Sequence, residues 1–171
     1  LKAISWATLS GQIAALVAAG AEEIRLTGGE PTMRRDLARL VDHARTCGAE
    51  RVVLETNATL LDAARVAELV AAGLTHAVVH VLALDPRADA VTQDPGGWAR
   101  TRDGLCHLLN SRVEVVVRTT VTRSTMALLP DLPRQLTLLA VQRPPSALEV
   151  EVPTDGPVAA AAEADFTHPV D

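Results

Sequence analysis

The chain has 171 residues, of which 48% are hydrophobic and 2% aromatic, and a formal net charge of -5 from 16 basic and 21 acidic residues. This length allows one domain with a core of Leu, Val and Ala, and the acidic balance argues against a nucleic-acid surface. No apolar run is long enough to span a bilayer, and no secretory signal is recognisable. Cys47 and Cys106 are too few for a disulfide framework. We therefore expect a cytoplasmic protein that binds neither membrane nor nucleic acid.

The predicted elements alternate between helices and strands. Three similar segments each end a helix, turn at a glycine and enter a strand; these glycines are Gly20, Gly48 and Gly73. A left-handed residue commonly closes a helix at this position. A fourth, looser unit has Asn110 in place of the glycine, and a fifth runs from a helix at 128–141 into a strand at 147–152.

The predicted strands at 52–56, 77–84 and 113–121 are nearly continuous apolar runs. Such runs are typical of parallel strands that are covered on both faces or closed into a barrel. Together with the apolar stripes of the helices, they predict an α/β fold with about five mostly parallel strands. In such folds ligands bind at the carboxyl ends of the strands.

Polar residues gather at those strand ends. They are Thr27 to Thr32, Glu55 to Asn57, Asp85 and Pro86, Arg118 to Thr120, and Glu151 to Thr154. Ordinary turn chemistry explains part of this set, so a purely structural role stays open.

The turn Gly28-Gly29-Glu30-Pro31 follows the first predicted strand. Its glycines let the backbone approach a ligand, Glu30 adds a carboxylate and Pro31 removes an N–H donor. This acceptor-rich turn suits an ammonium group better than a phosphate, and no phosphate loop is present, which disfavours a nucleotide-binding α/β domain.

Arg118 is the complementary feature, because a guanidinium at a strand end binds a carboxylate well. Ammonium and carboxylate sites that face each other describe an amino-acid group. The alternative for Arg118 is a salt bridge to Glu55 or Asp85.

Residues 24–41, IRLTGGEPTMRRDLARLV, resemble the second strand, GGE motif and following helix of the radical SAM superfamily. The resemblance is strongest to the branch that contains molybdenum-cofactor and pyrroloquinoline-quinone biosynthesis enzymes and SPASM-type peptide-modifying enzymes. Residues 54–85, 91–109 and 113–125 resemble later segments of the same branch in the same order.

The resemblance implies a partial (βα)6 barrel in which S-adenosylmethionine and a 4Fe-4S cluster act together. The cluster cleaves S-adenosylmethionine reductively, and the resulting radical attacks a substrate. The residues that match the family's cofactor site are Gly28, Gly29, Glu30, Pro31, Thr56, Asn57, Asp85, Arg118 and Thr120. No residue is assigned a catalytic role.

The sequence departs from the family at three places. The CxxxCxxC motif that binds the cluster is absent, Ala83 replaces a serine, and Ala58 replaces a glycine. Since the chain starts with Leu1 at about the first helix, we expect the first strand and cluster loop to lie upstream. We accordingly predict an incomplete radical SAM core at 1–153 and a linker or disordered tail at 154–171.

Two functions follow from this interpretation. The first is a portion of a radical SAM enzyme that needs a reductant and acts on an unknown peptide or small molecule, with this chain inactive alone. The alternative is a degenerate, non-catalytic binding or scaffold protein. We expect weak or no binding of S-adenosylmethionine by the chain alone, with or without Gly28→Val. We also expect aggregation or partial order, because the edge of its first strand is exposed.

The remaining candidates favour structural roles. His43 and Cys47 are four residues apart on one helix but have no further metal ligands near them in sequence. His80 is predicted to be a hydrogen-bonded core or lumen histidine rather than a catalytic one. Cys106 and His107 are predicted helix positions without chemistry, and Trp98 is predicted to anchor the start of the fourth helix.

Overall fold

The computed structural model describes residues 4–139 and 144–152. The described strands are β1 (Glu23–Leu26), β2 (Arg51–Thr56), β3 (His76–His80), β4 (Glu114–Thr120) and β5 (Ala147–Glu151). The helices are α1 (Trp6–Ala18), α2 (Leu37–Thr46), α3 (Ala63–Ala71), α4 (Arg87–Thr92), α5 (Gly97–Leu109), α6 (Arg123–Met126) and α7 (Leu132–Leu139). Short 3-10 turns span Pro31–Met33 and Leu129–Asp131.

The five described strands form one sheet in chain order, and each neighbouring pair is parallel. This confirms the predicted α/β fold with about five parallel strands. Since all carboxyl ends of a parallel sheet meet at one edge, the predicted site residues lie along that edge. β1 and β5 are the outer strands of the described sheet.

Helices cover one face of the sheet and form the main core there. Strand residues that alternate along the chain, such as Val52 and Leu54 on β2, are fully buried on this face against α2 residues such as Leu40 and Val41. This period-two alternation places every second strand residue in the core.

The opposite face, here called the open face, is only partly apolar. Val53 and Val78 are buried near its centre, but charged side chains such as Arg25, Glu55 and Arg118 also lie on it. Charges that lie two residues apart within an apolar run all fall on the same face of a strand, which explains this mixed face.

The predicted helix-closing glycines are confirmed, with φ of 95° at Gly20, 106° at Gly48 and 102° at Gly73. The prediction for Asn110 is wrong, because its φ is -85°. The next residue, Ser111, does the capping instead: its hydroxyl donates to the Leu108 carbonyl at 2.7 Å and accepts from the Val113 amide at 3.1 Å.

The segment after β3 also differs from the prediction. The strand ends at His80 rather than Leu84, and the short helix α4 follows, which no sequence pattern indicated. Ala83 packs in a second apolar cluster with Ala88, Leu128 and Trp98. The predicted anchoring role of Trp98 at the start of α5 is confirmed.

None of the helices in the described part of the chain is long and apolar enough to cross a membrane. The predicted domain boundary after residue 153 lies outside the described residues.

Candidate functional site

The turn after β1 has a backbone that only glycine adopts readily. Gly28 has φ of 93° and Gly29 has φ of 55°, and a Cβ added at either position would meet no atom within 4 Å. Backbone conformation therefore requires these glycines, and open space remains beside them. No backbone donor among the described residues contacts their carbonyl oxygens outside the regular elements.

The Glu30 carboxylate is held by neighbouring residues rather than projecting freely. Its Oε1 accepts hydrogen bonds from the Thr32 amide at 3.0 Å, from the Thr32 hydroxyl, and from the Thr56 hydroxyl at 2.7 Å. Its Oε2 accepts from the Asn57 amide at 2.9 Å. Glu30 thus links the turn after β1 to the end of β2. Pro31 starts the 3-10 turn that presents the Thr32 donors.

At the end of β2, Thr56 is buried, and its hydroxyl both donates and accepts a hydrogen bond. Its hydroxyl donates to Glu30 and accepts from the Ala58 amide at 2.9 Å. The Asn57 carbonyl oxygen Oδ1 accepts from the Thr59 amide and hydroxyl at 3.0 and 2.8 Å. The structure therefore brings four predicted residues together: Glu30, Pro31, Thr56 and Asn57.

Ala58, which replaces the family's glycine, keeps a left-handed backbone with φ of 61°. Its carbonyl lies against Gly104 of α5, where an added Cβ would come within 2.1 Å of the Ala58 oxygen. Left-handed alanine costs roughly 1–2 kcal/mol. The surrounding hydrogen bonds and the close helix therefore hold a strained residue beside Asn57.

Arg118 forms the ion pair that the sequence left open as an alternative. Its Nη1 lies 3.5 Å from Glu55 Oε1, and its Nε and Nη2 each lie 2.8 Å from Glu149 Oε2. Thr120 stands two residues further along β4 on the same open face.

Glu55 joins the two sides of the site. It accepts from Arg25 at 2.6 Å and from the Thr27 hydroxyl at 2.9 Å, and it faces Arg118. Burial alone would raise the pKa of Glu55, but the hydrogen bonds from Arg25 and Thr27 outweigh burial and hold the pKa below its ordinary value.

Asp85 pairs with Arg87 rather than with the residues around Glu30 and Glu55. Both of its oxygens bind Arg87, at 2.9 Å each, and the carboxyl is partly exposed. Hydrogen bonds from the Arg87 side chain and backbone lower the pKa of Asp85 to about 2. Within the described residues, no hydrogen bond joins Asp85 to another predicted site residue.

Two cavities lie beside the hydrogen-bonded residues Glu30 and Asn57. One, of about 360 Å³, lies between the ends of β2 and β3 and the helices α4 and α5; its walls include Asn57, His80, Ala83 and Trp98. The other, of about 390 Å³, lies beside β1 and includes Gly28, Gly29 and Glu30. His80 is exposed at the first cavity, so the prediction of a core histidine is wrong, whereas a position facing the lumen remains consistent.

The described residues do not fit an iron–sulfur cluster. They contain no group of three or more His, Cys, Asp or Glu side chains that could hold a metal. His43 Nε2 lies 3.5 Å from Cys47 Sγ but also 3.1 Å from the Ser10 carbonyl. Burial raises the pKa of the Cys106 thiol, which makes it a poor ligand.

The described residues offer groups with the chemistry to bind the amino-acid end of S-adenosylmethionine. Backbone carbonyls such as those of Gly28 and Gly29 can accept from an ammonium group, and the partly exposed Arg118 can bind a carboxylate. Sequence reasoning missed Thr32, Glu149 and Gly104 as supporting residues. Thr32 reaches Glu30 locally, two residues along the chain, whereas only strand register and helix position bring Glu149 and Gly104 to the site.

Comparison with known proteins shows the family to which the chain is related. The family model described as "Radical SAM superfamily" matches residues 2–132. The chain is 37% identical over 94 residues to a GTP 3',8-cyclase from Aeromonas hydrophila, covering 54% of this chain and 27% of the relative. It is 33% identical over 114 residues to a PqqA peptide cyclase from Rhodopseudomonas palustris, covering 66% of this chain and 30% of the relative.

An Fe-coproporphyrin III synthase from Methanosarcina barkeri is 30% identical over 130 residues, which cover 76% of this chain and 32% of the relative. The chain thus spans about a third or less of these relatives. The solved structure of HemN, the coproporphyrinogen III oxidase of Escherichia coli and a radical SAM enzyme, superposes with a TM-score of 0.65 at 15% identity, covering 93% of this chain and 39% of HemN. This likeness supports the fold, and the family match spans more than half of the chain. The chain therefore belongs to the radical SAM superfamily.

Proposed function

We propose that this chain is the S-adenosylmethionine-binding part of a radical SAM enzyme. The observation that carries the proposal is that Glu55, at the carboxyl end of β2, accepts from Thr27, which precedes the Gly28-Gly29 turn, and pairs with Arg118. S-adenosylmethionine carries an ammonium and a carboxylate on one carbon, which is the ligand chemistry that this pairing suits.

The residues of this chain bind and orient the cofactor. The carbonyl oxygens of Gly28 and Gly29 accept hydrogen bonds from the ammonium group, and Arg118 binds the carboxylate in exchange for Glu149. Thr120 lies beside Arg118 on the same strand face, and Asn57 borders the adjoining cavity. A 4Fe-4S cluster would supply the electron that cleaves S-adenosylmethionine, and its cysteine ligands would have to come from outside these 171 residues, whose two cysteines are Cys47 and Cys106.

We propose a peptide or a small molecule as the substrate, bound near the cavity that includes His80 and Trp98. Arg25 and Arg118 on the open face are both paired with carboxylates. This neutralisation favours an uncharged or zwitterionic substrate over a polyanion.

Two unpaired cysteines are consistent with a reducing cytoplasm.

The direct test uses the complete gene product. Its coding sequence should contain CxxxCxxC within about 30 to 40 residues upstream of Leu1, given one strand and one loop of ordinary length. The purified protein, reconstituted anaerobically with iron and sulfide and then reduced, should convert S-adenosylmethionine to 5'-deoxyadenosine. Absence of the motif and of this product would contradict the proposal.

The alternative is a degenerate, non-catalytic radical SAM-like protein. The specific observation that favours it is Ala83, which stands where the family's serine is expected and packs in an apolar cluster. A complete gene product that lacks CxxxCxxC but binds S-adenosylmethionine, with loss of binding in Gly28→Val, would favour this alternative.

A further inference from the structure

We propose that the cavity at the end of β3, here called the His80 cavity, binds a neutral planar ring of the substrate, with Trp98 as its flat wall and His80 as its hydrogen-bonding partner. The cavity has a volume of about 360 Å³, and its walls include His80, Leu82, Ala83, Ala88 and Trp98. That a substrate binds here at all rests on the proposed function.

The walls of the His80 cavity are mainly apolar. Leu82 and Ala83 follow β3, and Ala83 packs in one apolar cluster with Ala88 of α4 and Trp98 of α5. Because Ala83 stands where the family has a serine, this wall lacks a hydroxyl. Cavities of this size with apolar walls and a few polar groups are the usual binding sites of small organic groups.

Trp98 is a wall whose position is fixed. Its backbone amide donates to Asp89 Oδ1 at 3.0 Å, and the amide of Gly96 donates to Asp89 Oδ2 at 2.5 Å. Asp89 thus ties α4 to the start of α5, so the Ala88 and Trp98 walls keep their spacing. Trp98 is half-buried where it lines the cavity, and indole packs favourably against a second planar ring.

His80 supplies a polar group without an internal partner. It is exposed on the open face, and no residue among 4–139 and 144–152 forms a hydrogen bond or an ion pair with its imidazole. A neutral imidazole donates from one nitrogen and accepts at the other. It can therefore bind a hydroxyl or an N–H group at the edge of a ring that packs against Trp98.

The charges around the His80 cavity favour a neutral ring. Asp94, an acidic residue of its wall, pairs with Arg100 at 2.5 Å. Arg118, which lies opposite His80 in the strand register, pairs with Glu149 at 2.8 Å. A charged ring would lose its hydration here without meeting an unpaired charge of opposite sign, which makes its burial costly.

The His80 cavity also lies beside the proposed cofactor site rather than in it. His80 and Arg118 are register partners on neighbouring strands, which lie about 4.8 Å apart. A ring at His80 is therefore next to the residue proposed to bind the cofactor carboxylate. A substrate that reacts with a group derived from the cofactor has to lie this close.

The test measures the dissociation constants of three probes with the complete, cluster-loaded protein by ligand-observed NMR. p-Cresol has a planar ring with a hydroxyl, toluene lacks the hydroxyl, and 4-methylcyclohexanol has the hydroxyl on a ring that is not planar. We expect p-cresol to bind about fivefold more tightly than either of the others, because only it combines ring packing with a hydrogen bond. Equal affinity for p-cresol and 4-methylcyclohexanol would overturn the proposal.

Two variants separate the two contacts. His80→Ala, at an exposed position, should remove the advantage of p-cresol over toluene, and Trp98→Leu should remove its advantage over 4-methylcyclohexanol. His107→Ala on α5, outside the walls of this cavity, is the matched control and should change neither ratio. An unchanged p-cresol to toluene ratio in His80→Ala would overturn the role of His80.

Further probes identify the source of the ring. N-acetyl-tyrosinamide carries the p-cresol ring on a peptide backbone. Its tighter binding would support a ring borne by a peptide, and its weaker binding would support the ring of a small molecule.

S-adenosylmethionine separates this inference from the proposed function. At saturation it should not displace p-cresol, and displacement would overturn the inference by assigning the His80 cavity to the cofactor. Binding of S-adenosylmethionine without binding of p-cresol would contradict the ring site alone. Binding of p-cresol without binding of S-adenosylmethionine would support the ring site and contradict the proposed function.

Discussion

The two halves of the candidate site are built differently. In the acceptor half, the Glu30 carboxylate is enclosed by donors from Thr32, Thr56 and Asn57, and Thr56 is only 2% exposed. In the cation half, Arg118 pairs with Glu149, whose side chain is 47% exposed. The acceptor half is therefore fixed before any ligand arrives, whereas the cation half is held by an ion pair that solvent or a ligand can replace.

The difference shows how one site can combine a backbone that is held in place with a side chain that can exchange its ion-pair partner. Backbone carbonyls bind well only if the backbone is already in place, so that half needs internal hydrogen bonds. A guanidinium on a long side chain keeps its charge in any rotamer and needs only a partner that leaves. Substitutions in the acceptor half should thus change stability, and substitutions in the cation half should mainly change affinity.

The largest effect is expected from Gly104→Ala, which disturbs the contact between α5 and the Ala58 turn in the acceptor half. The new Cβ would lie 2.1 Å from the Ala58 carbonyl oxygen, so the turn or α5 must move. We expect a loss of about 3 kcal/mol in the free energy of unfolding, measured by urea denaturation. Gly11→Ala in α1, where no atom lies within 4 Å, is the control and should gain up to ~1 kcal/mol. Equal stabilities of the two variants would refute the proposed close contact.

A smaller effect is expected from Glu55→Gln, which removes the carboxylate that joins the halves. Because hydrogen bonds from Arg25 and Thr27 lower its pKa, Glu55 stabilises the fold fully above its ordinary value of 4.5. That contribution is lost as the pH falls through the lower pKa of the folded state. We expect the variant to lose about 2 kcal/mol at pH 7.

The pH dependence provides the check on Glu55. The stability difference between wild type and Glu55→Gln should shrink as the pH falls below 4.5. A difference that is constant from pH 7 to pH 3 would mean that packing rather than charge explains the loss.

Ala58→Gly should stabilise the protein by about 1 kcal/mol, because glycine adopts the observed φ of 61° without strain. Thermal or urea unfolding would measure the gain. The matched control is Ala67→Gly at an exposed position of α3, which should cost about 1 kcal/mol. Opposite signs for these two substitutions are the prediction, and equal losses would show that Ala58 is not strained.

The smallest stability effect is expected from Glu149→Gln in the cation half, below about 0.5 kcal/mol, since exposed ion pairs contribute little. The same change should strengthen binding of S-adenosylmethionine to the complete protein several-fold, because Arg118 loses the nearer of its two carboxylate partners. Glu151→Gln, an equal charge change on the same strand, should leave affinity nearly unchanged. Equal effects from both variants would indicate a general charge effect rather than competition for Arg118.

Sequence reasoning predicted those features that depend on local chemistry. Gly20, Gly48 and Gly73 close helices because few other residues adopt their backbone, and apolar runs of strand length predicted the parallel sheet. The polar strand ends were located by the same logic, because in a parallel sheet they all meet at one edge.

Features that depend on contacts between distant segments could not be predicted. The bonds of Glu30 to Thr56 and Asn57 require the register of β1 against β2, and the pairing of Arg118 with Glu149 requires that of β4 against β5. Asn110 was misjudged because Ser111 next to it offers a competing hydroxyl. The helix α4 escaped notice because its six residues show no apolar period.

The central claim is that the ends of β1 and β4 form one site for the amino-acid end of S-adenosylmethionine. The most direct test is an NMR titration of the complete, cluster-loaded protein with S-adenosylmethionine. The Gly28 and Gly29 amides and the Arg118 Nε–H should shift with one common concentration dependence, while Gly20 and Gly73 should not shift. Absence of shifts at both strand ends, or shifts at only one of them, would contradict the account.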